Sequence, residues 1–179
     1  MQPYLFPYRG YIDLIASVDK FVLYDDAKYM KGKFINRNYF PELFTFRLKK
    51  HSDYAKINEL SFFDVGEDKK IFKRKFPNLS QKALGYVEML SHGYSLNHNI
   101  FRTLKKICED LGISTPFHFA SEYPHGKFVQ GVLDIVRALG GDTYVNLPGG
   151  RSLYNQEQFG EIKLDFIETI PGPSILCEL

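Results

Sequence analysis

The last third of the chain alternates strand, helix and strand, with glycines at the turns. Thr115–Ala120 (TPFHFA) reads as a strand. Phe128–Leu139 (FVQGVLDIVRAL) reads as an amphipathic helix closed by Gly140-Gly141. Thr143–Asn146 (TYVN) is a short strand, and Lys163–Glu168 (KLDFIE) is the final one. Strands joined through a helix pair in parallel, because the helix carries the chain back to the starting end of the sheet. The pattern therefore predicts an α/β fold: a mainly parallel sheet with flanking helices. A further buried strand, Lys20–Tyr24 (KFVLY), is dense in aromatic and β-branched residues. Leu43–Leu48 and the weaker run Ile57–Phe63 read as an antiparallel hairpin inserted into this plan.

Helical signals fill the rest. Tyr11–Val18 buries Tyr11, Leu14, Ile15 and Val18 on one side. Asp68–Phe76 (DKKIFKRKF) is a basic helix stopped by Pro77, and Gln81–Leu90 is another helix. Ser95 or Asn97 caps a longer helix with Ile100, Leu104, Ile107, Cys108 and Leu111 at helical spacing, and Gly112 sits where a left-handed C-terminal residue belongs. No internal repeat is visible. A length of 179 residues is read as one domain spanning 1–179.

Composition excludes several function classes. Lys plus Arg number 23 against 21 Asp plus Glu, a net charge of +2, which gives no global pull toward nucleic acid or anionic membrane. No run approaches the roughly 18 apolar residues of a membrane span. The opening MQPYLFPYRGY lacks the basic and apolar regions of a secretory leader. Two cysteines cannot form a disulfide framework, and a reduced, cytoplasmic protein is expected. The chain holds 12 Tyr and 16 Phe but no Trp. Tyrosine joins an apolar ring to a polar tip, which suits either core margins or the walls of a pocket for a polar ligand.

Three segments carry residues suited to chemistry. In QPYLFPYRGY, Pro3 and Pro7 stiffen the loop, and Gly10 permits close backbone approach. Gln2, Tyr4, Pro7 and Gly10 are candidate ligand contacts there, and Tyr8 and Tyr11 candidate donors; the alternative is an aromatic plug at a sheet edge. In YDDAKYMKGKFINRN, Asp25 and Asp26 follow a buried strand, where open α/β sheets place ligand-contacting groups. They could bind Mg²⁺, accept bonds from sugar hydroxyls or act as a base. Lys31, Lys33 and Arg37 could neutralise phosphate, and Asn36 and Asn38 could read hydroxyls; the alternative is a solvated turn with surface ion pairs. In NLPGGRSLY, Asn146, Gly149, Gly150, Arg151 and Tyr154 form either a backbone cradle for phosphate or an ordinary turn. The five histidines show no metal-ligand spacing, His118 reads as structural, and no metal site is expected. No GxSxG elbow, Walker loop or dinucleotide fingerprint is present.

These segments resemble the WbqC-like family of bacterial proteins. The likeness rests on QPY-x-FPY-x-GY, VDKFV-x-YDD and NRN, with LGISTPFHFASE, GGDTYVNLPGGRSLY and SILCEL. The resemblance implies a setting in surface-polysaccharide (O-antigen, lipopolysaccharide) gene clusters. It also implies transfer of an amino-acid unit, glycine above all, or an acyl unit to an amino sugar. Family members usually carry a short apolar strand before the equivalent of Met1, so the central strand of the sheet is the element in question. The order loop, then Tyr8-Arg9-Gly10-Tyr11, then helix is similar to HUP-type nucleotide-binding domains, a Rossmann-like layout. Those carry His-x-Gly-His there, and some form amides through an adenylate, so ATP with Mg²⁺ is a compatible cofactor. Tyrosine, neutral at pH 7, cannot supply the histidine cation.

Two readings of function follow. One is an amide-forming transferase with a nucleotide-linked amino sugar and an acyl or amino-acid donor as partners. Asp25 or Asp26 would be base, Tyr8, Tyr11 or N–H groups beside Gly10 oxyanion donors, and Arg37, Lys31 and Arg151 the diphosphate clamp. Asn36, Asn38 and Asn146 would read the sugar. The other is a non-catalytic nucleotide-sugar or glycan-binding module of the same pathway. A homo-oligomer is compatible with either; nucleic acid as partner is disfavoured.

Overall fold

A computed structural model describes residues 1–179. In chain order the elements are α1 (Arg9–Ala16), β1 (Phe21–Leu23), β2 (Arg37–Tyr39), β3 (Leu43–Thr45), α2 (Val65–Lys75), α3 (Gln81–Glu88), α4 (Leu96–Asp110), β4 (Phe117–Phe119), α5 (Phe128–Ala138), β5 (Thr143–Asn146), α6 (Gln156–Phe159) and β6 (Lys163–Phe166). The fold is mixed α/β. β1 pairs in parallel with β4, Phe21 opposite Phe117 and Leu23 opposite Phe119. β5 pairs in parallel with β6, Thr143 opposite Lys163 and Asn146 opposite Phe166. β2 and β3 form an antiparallel hairpin.

Two parallel pairs form, but β4 and β5, the strands that the alternation joins through α5, do not pair with each other. Instead of one mainly parallel sheet there are three separate two-stranded pieces, and no Rossmann-like sheet is formed. The hairpin is also displaced. β3 pairs backward with β2, and the predicted strand Ile57–Phe63 begins as a single 3₁₀ turn, Ile57–Glu59. Antiparallel pairing between the two halves of the expected hairpin survives as one bridge, Leu48 with Phe62. Beside it, the Phe63 N–H donates to the Arg47 carbonyl and the Lys49 N–H to the Ser61 carbonyl.

Phenylalanine builds the core. Phe40, Phe44, Phe46, Phe72 and Phe76 pack ring against ring, mostly edge to face, with Phe40 and Phe72 centroids 4.9 Å apart. This geometry adds quadrupole attraction to area burial. They belong to a cluster of 32 buried residues that also takes the buried sides of α1 and α4. A second, smaller cluster of Val132, Leu133, Phe159 and Ile162 lies between α5 and α6. One ion pair is pinned into the large core. Asp68 on α2 is buried and accepts from Arg47 twice, from Nε at 2.6 Å and from the backbone N–H at 2.7 Å. No helix is long and apolar enough to cross a membrane.

α4 matches its sequence signals closely. Ser95 precedes it, Gly112 follows it at φ +73°, and Ile100, Leu104, Ile107 and Cys108 are buried. Burial pushes the Cys108 thiol up to about 11, while Cys177 is exposed near the chain end. The thiolate is the reactive species, and almost none exists three units below its pKa. At pH 8, iodoacetamide is therefore expected to label Cys177 in the folded chain and Cys108 only in urea. Equal native labelling of both, read by peptide mass, would contradict this packing.

Candidate active site around Asp26

The two adjacent acids after β1, both in the turn that ends the strand, have opposite fates. Asp25 turns inward and is 1% exposed. Its Oδ1 accepts the Ser121 N–H at 3.0 Å. Its Oδ2 accepts Ser121 Oγ at 2.8 Å, Asn97 Nδ2 at 3.2 Å and Asn58 Nδ2 at 3.3 Å. Ser121 lies in the 3₁₀ turn after β4, Asn97 opens α4, and Asn58 sits in the Ile57–Glu59 turn. A buried carboxylate is tolerated when donors surround it, and these donors satisfy both oxygens. Asp25 is thus buried and committed to four protein donors, out of reach of a substrate.

Asp26 is the reverse. Its Oδ2 lies 3.2 Å from His125 Nε2 and 3.7 Å from Lys56 Nζ, whereas its Oδ1 is buried without a hydrogen-bond partner. A lone unpartnered buried polar atom calls for an explanation such as an ordered water, a ligand or a catalytic role. His125 is 9% exposed, and its Nδ1 lies 2.8 Å from the Gly126 carbonyl and 3.3 Å from Tyr24 Oη. A carbonyl can only accept, so Nδ1 carries the proton there; Nε2 faces a carboxylate. The loop bearing His125 is tied to α5, where the Gly126 N–H donates to Asp134 Oδ2 at 2.9 Å. That bond is the first cause holding the Asp134 carboxyl below its usual range, with a second bond from Gln130. Gly131 in α5 makes room for this cluster: a Cβ there would sit 2.5 Å from the Gly126 carbonyl oxygen and 2.7 Å from Tyr24 Oη.

The late turn approaches from the other side. Tyr154 bonds with Tyr144, and both phenols are raised chiefly by burial; charge coupling links each to Tyr24. Asn146 at the end of β5 accepts the Leu147 N–H on Oδ1, and its Nδ2 lies against the Gly150 backbone, where a Cβ would come within 2.5 Å. Gly149 is exposed. Arg151 is exposed, meets Glu168 at 2.6 Å and stacks over Phe166 at 4.8 Å.

The opening loop joins the NRN segment instead. The Leu5 N–H donates to the Ile35 carbonyl, and Asn38 Nδ2 donates to the Phe6 carbonyl at 2.7 Å. Asn36 is consumed by Tyr29 Oη at 2.9 Å and the Phe46 carbonyl at 2.7 Å. Both asparagines are buried structural ties, with nothing turned outward to read a sugar. Tyr11 is fully buried and its hydroxyl donates to the Gln2 carbonyl at 2.9 Å, so it is no oxyanion donor; Tyr4 packs on its ring at 5.6 Å. Pro7 accepts the Ile175 N–H, and half-buried Tyr8 bridges to Ser174. Gly10 does serve close approach, but to the protein itself: a Cβ would fall 1.8 Å from Thr169 Oγ1. The start of α1 is thereby covered by Thr169, Ser174 and Ile175, which leaves no open anion cradle. Lys31 is exposed and Arg37 half-buried, neither with a carboxylate partner. No group of three or more His, Cys, Asp or Glu side chains is placed to hold a metal ion.

A family model, the WbqC-like protein family, matches residues 2–174. The chain belongs to the WbqC-like family. It is 28% identical over 174 residues to Uncharacterized protein Rv1507c of Mycobacterium tuberculosis (strain ATCC 25618 / H37Rv), an alignment covering 88% of this chain and 75% of that one. No solved structure matches it.

In this WbqC-like chain, sequence reasoning missed His125, Tyr24 and Lys56, and the Asn58, Asn97 and Ser121 donors. His125 carried a usable signal: it follows a strand in a Pro-His-Gly loop, the carboxyl-end position of α/β ligand loops. Asp25→Asn would turn an amide N–H toward donors and is expected to cost about 2–4 kcal/mol in urea unfolding. A loss under about 0.5 kcal/mol would contradict the buried knot.

Proposed function

We propose that this protein transfers an acyl or aminoacyl group, glycyl foremost, to the amine of a nucleotide-linked amino sugar in surface-polysaccharide biosynthesis. The observation that carries the reading is the unpartnered Oδ1 of Asp26, on a carboxylate whose other oxygen faces His125 and Lys56. Such an oxygen is a ready acceptor for the proton an amine must shed on acylation. Of the two acids, Asp26 takes the base role because Asp25 is saturated. In the step, the amine nitrogen attacks the acyl carbon of an activated donor. The N–C bond forms, the bond to the donor's carrier breaks with its electron pair leaving on the carrier, and the amine proton passes to Asp26 Oδ1. Tyr24, whose hydroxyl lies 3.3 Å from His125 Nδ1, and Tyr154, which couples to it by charge, keep neutral hydroxyls at neutral pH, because burial, the first cause in each case, raises both phenols. They suit hydrogen bonding to sugar hydroxyls or the developing oxyanion. Asn146 Nδ2 and the exposed Arg151 supply contacts for the sugar and its diphosphate. ATP with Mg²⁺ remains compatible as the source of activation.

The test is incubation with a panel of nucleotide-linked amino sugars and activated glycyl or acyl donors, read as a mass increase on the sugar. Asp26→Asn is expected to lower turnover by about 10²–10⁴-fold while changing unfolding free energy by no more than about 0.5 kcal/mol. Saturable sugar binding without product in the native chain would replace this reading with the non-catalytic module. Full turnover in Asp26→Asn would remove the base.

A further inference from the structure

The net charge of +2 conceals a division along the chain. Between residues 28 and 56 stand eight Lys and Arg against two acids, so this stretch carries +6 and the remaining residues together −4. Arg47 is paired with buried Asp68, and Lys56 approaches Asp26 at 3.7 Å; the other six cations meet no carboxylate. The stretch folds back on itself beside Asp26. The Tyr29 N–H donates to the Ala55 carbonyl at 2.9 Å and the Ile57 N–H to the Ala27 carbonyl at 3.0 Å, which sets Lys28 directly opposite Lys56 in an antiparallel bridge. These bonds flank the two lysines without joining them to each other, the position at which facing side chains come closest. Like charges placed there repel. Both lysines are exposed. Lys56 reaches toward Asp26 Oδ2, while Lys28 lies over the Tyr54 ring, 4.8 Å from its centroid. Tyr54 is 81% exposed, although an aromatic ring gains free energy from burial. The turn that presents it is tied by its own N–H, which donates to Ser52 Oγ at 3.1 Å. Facing cations, a bare aromatic ring and the carboxylate of the candidate site thus adjoin one another.

We propose that Lys28, Lys56 and Tyr54 form a nucleotide subsite opening onto Asp26, with phosphate held between the two lysines and the base stacked on the tyrosine. A phosphate there cancels the repulsion of the pair and accepts charge-assisted bonds from both ammonium groups. A base offers a flat π-face to the exposed ring, and such stacking tolerates any base. The surrounding +6 stretch draws anions toward the subsite, an effect that salt weakens. The inference deepens the transfer reading and rests on it for the purpose of the subsite: Lys56 adjoins Asp26, so a substrate held by its phosphates presents its reacting end to that carboxylate. Two substrates carry the required chemistry. One is the acceptor sugar with its nucleoside diphosphate; the other is an acyl donor activated on an adenine nucleotide.

The experiment is isothermal titration calorimetry of the whole chain, without turnover, with inorganic pyrophosphate, AMP, and UDP, dTDP or GDP as probes. Saturable binding of pyrophosphate and of at least one nucleotide is expected. Lys28→Glu should weaken both by at least about 10-fold. Its thermal midpoint should hold level or rise, because an opposite charge then faces Lys56. A lysine serving only the fold would show the reverse, a lower midpoint with unchanged affinity. Tyr54→Ala should weaken the nucleotides by at least about 5-fold and leave pyrophosphate as it was. Lys105→Ala, on the exposed side of α4, should change neither. Tighter binding of the nucleoside diphosphates than of AMP gives the subsite to the acceptor, and the reverse gives it to the donor. The proposal is overturned if no probe binds at about 5 mM. It is equally overturned if Lys28→Glu binds like the native chain, or if Lys105→Ala weakens binding as much as Lys28→Glu does. Binding with the expected signatures in a chain that forms no product from sugars and donors supports the subsite and removes the transfer reading alone.

Discussion

Asp25 holds the site together. Its carboxylate sits at the end of β1 and draws in donors from three separate stretches: the 3₁₀ turn around Asn58, the first turn of α4 at Asn97, and the turn after β4 at Ser121. None of these is near it in sequence, so the bonds close long loops and fix where β1 ends. Asp26 is the next residue of the turn that follows. The neighbour of a saturated carboxylate is turned toward His125 and Lys56 with one oxygen unmatched. Structural and reactive roles are divided between two chemically identical side chains by direction alone.

The hydrophobic architecture shows the same economy. A phenylalanine-rich core needs no polar partners and packs by ring edges, so it can anchor α2, the hairpin and the opening loop at once. The few polar groups admitted to it are saturated: Asn36, Asn38, Asn99 and Asp68 each meet protein donors or acceptors. The contrast with the seam between the two cores is sharp. There, side chains from β1, β5 and α5 line a cavity of about 490 Å³.

Elements with a single strong local signal were legible in the sequence. α4 carried helical spacing over four turns and a terminal glycine, and β5 was bounded by turn residues on both sides; each is found where its pattern puts it. Sheet assembly was not legible, since merging strand pairs depends on what lies between them rather than on any one strand. The hairpin slipped because Leu43–Thr45 had two eligible partners, and the buried Asn38 with its bond to Phe6 favours the nearer one. At the site, the position after β1 was legible as a place for acids. Which acid stays unsatisfied depends on Asn58, Asn97 and Ser121, long-range partners that leave no trace at Asp25 itself. Likewise Asn36 and Asn38 read as ligand groups from composition, while their burial follows only from the packing of the opening loop.

The division between the two acids is most directly tested by carboxylate labelling of the native chain with a carbodiimide and an amine, followed by peptide mass analysis. Asp26 should be modified under native conditions and protected by a bound nucleotide-linked amino sugar. Asp25 should resist until the chain unfolds. Native modification of Asp25 at the rate of Asp26 would mean that its ring of donors is not closed, and the assignment of roles would fall.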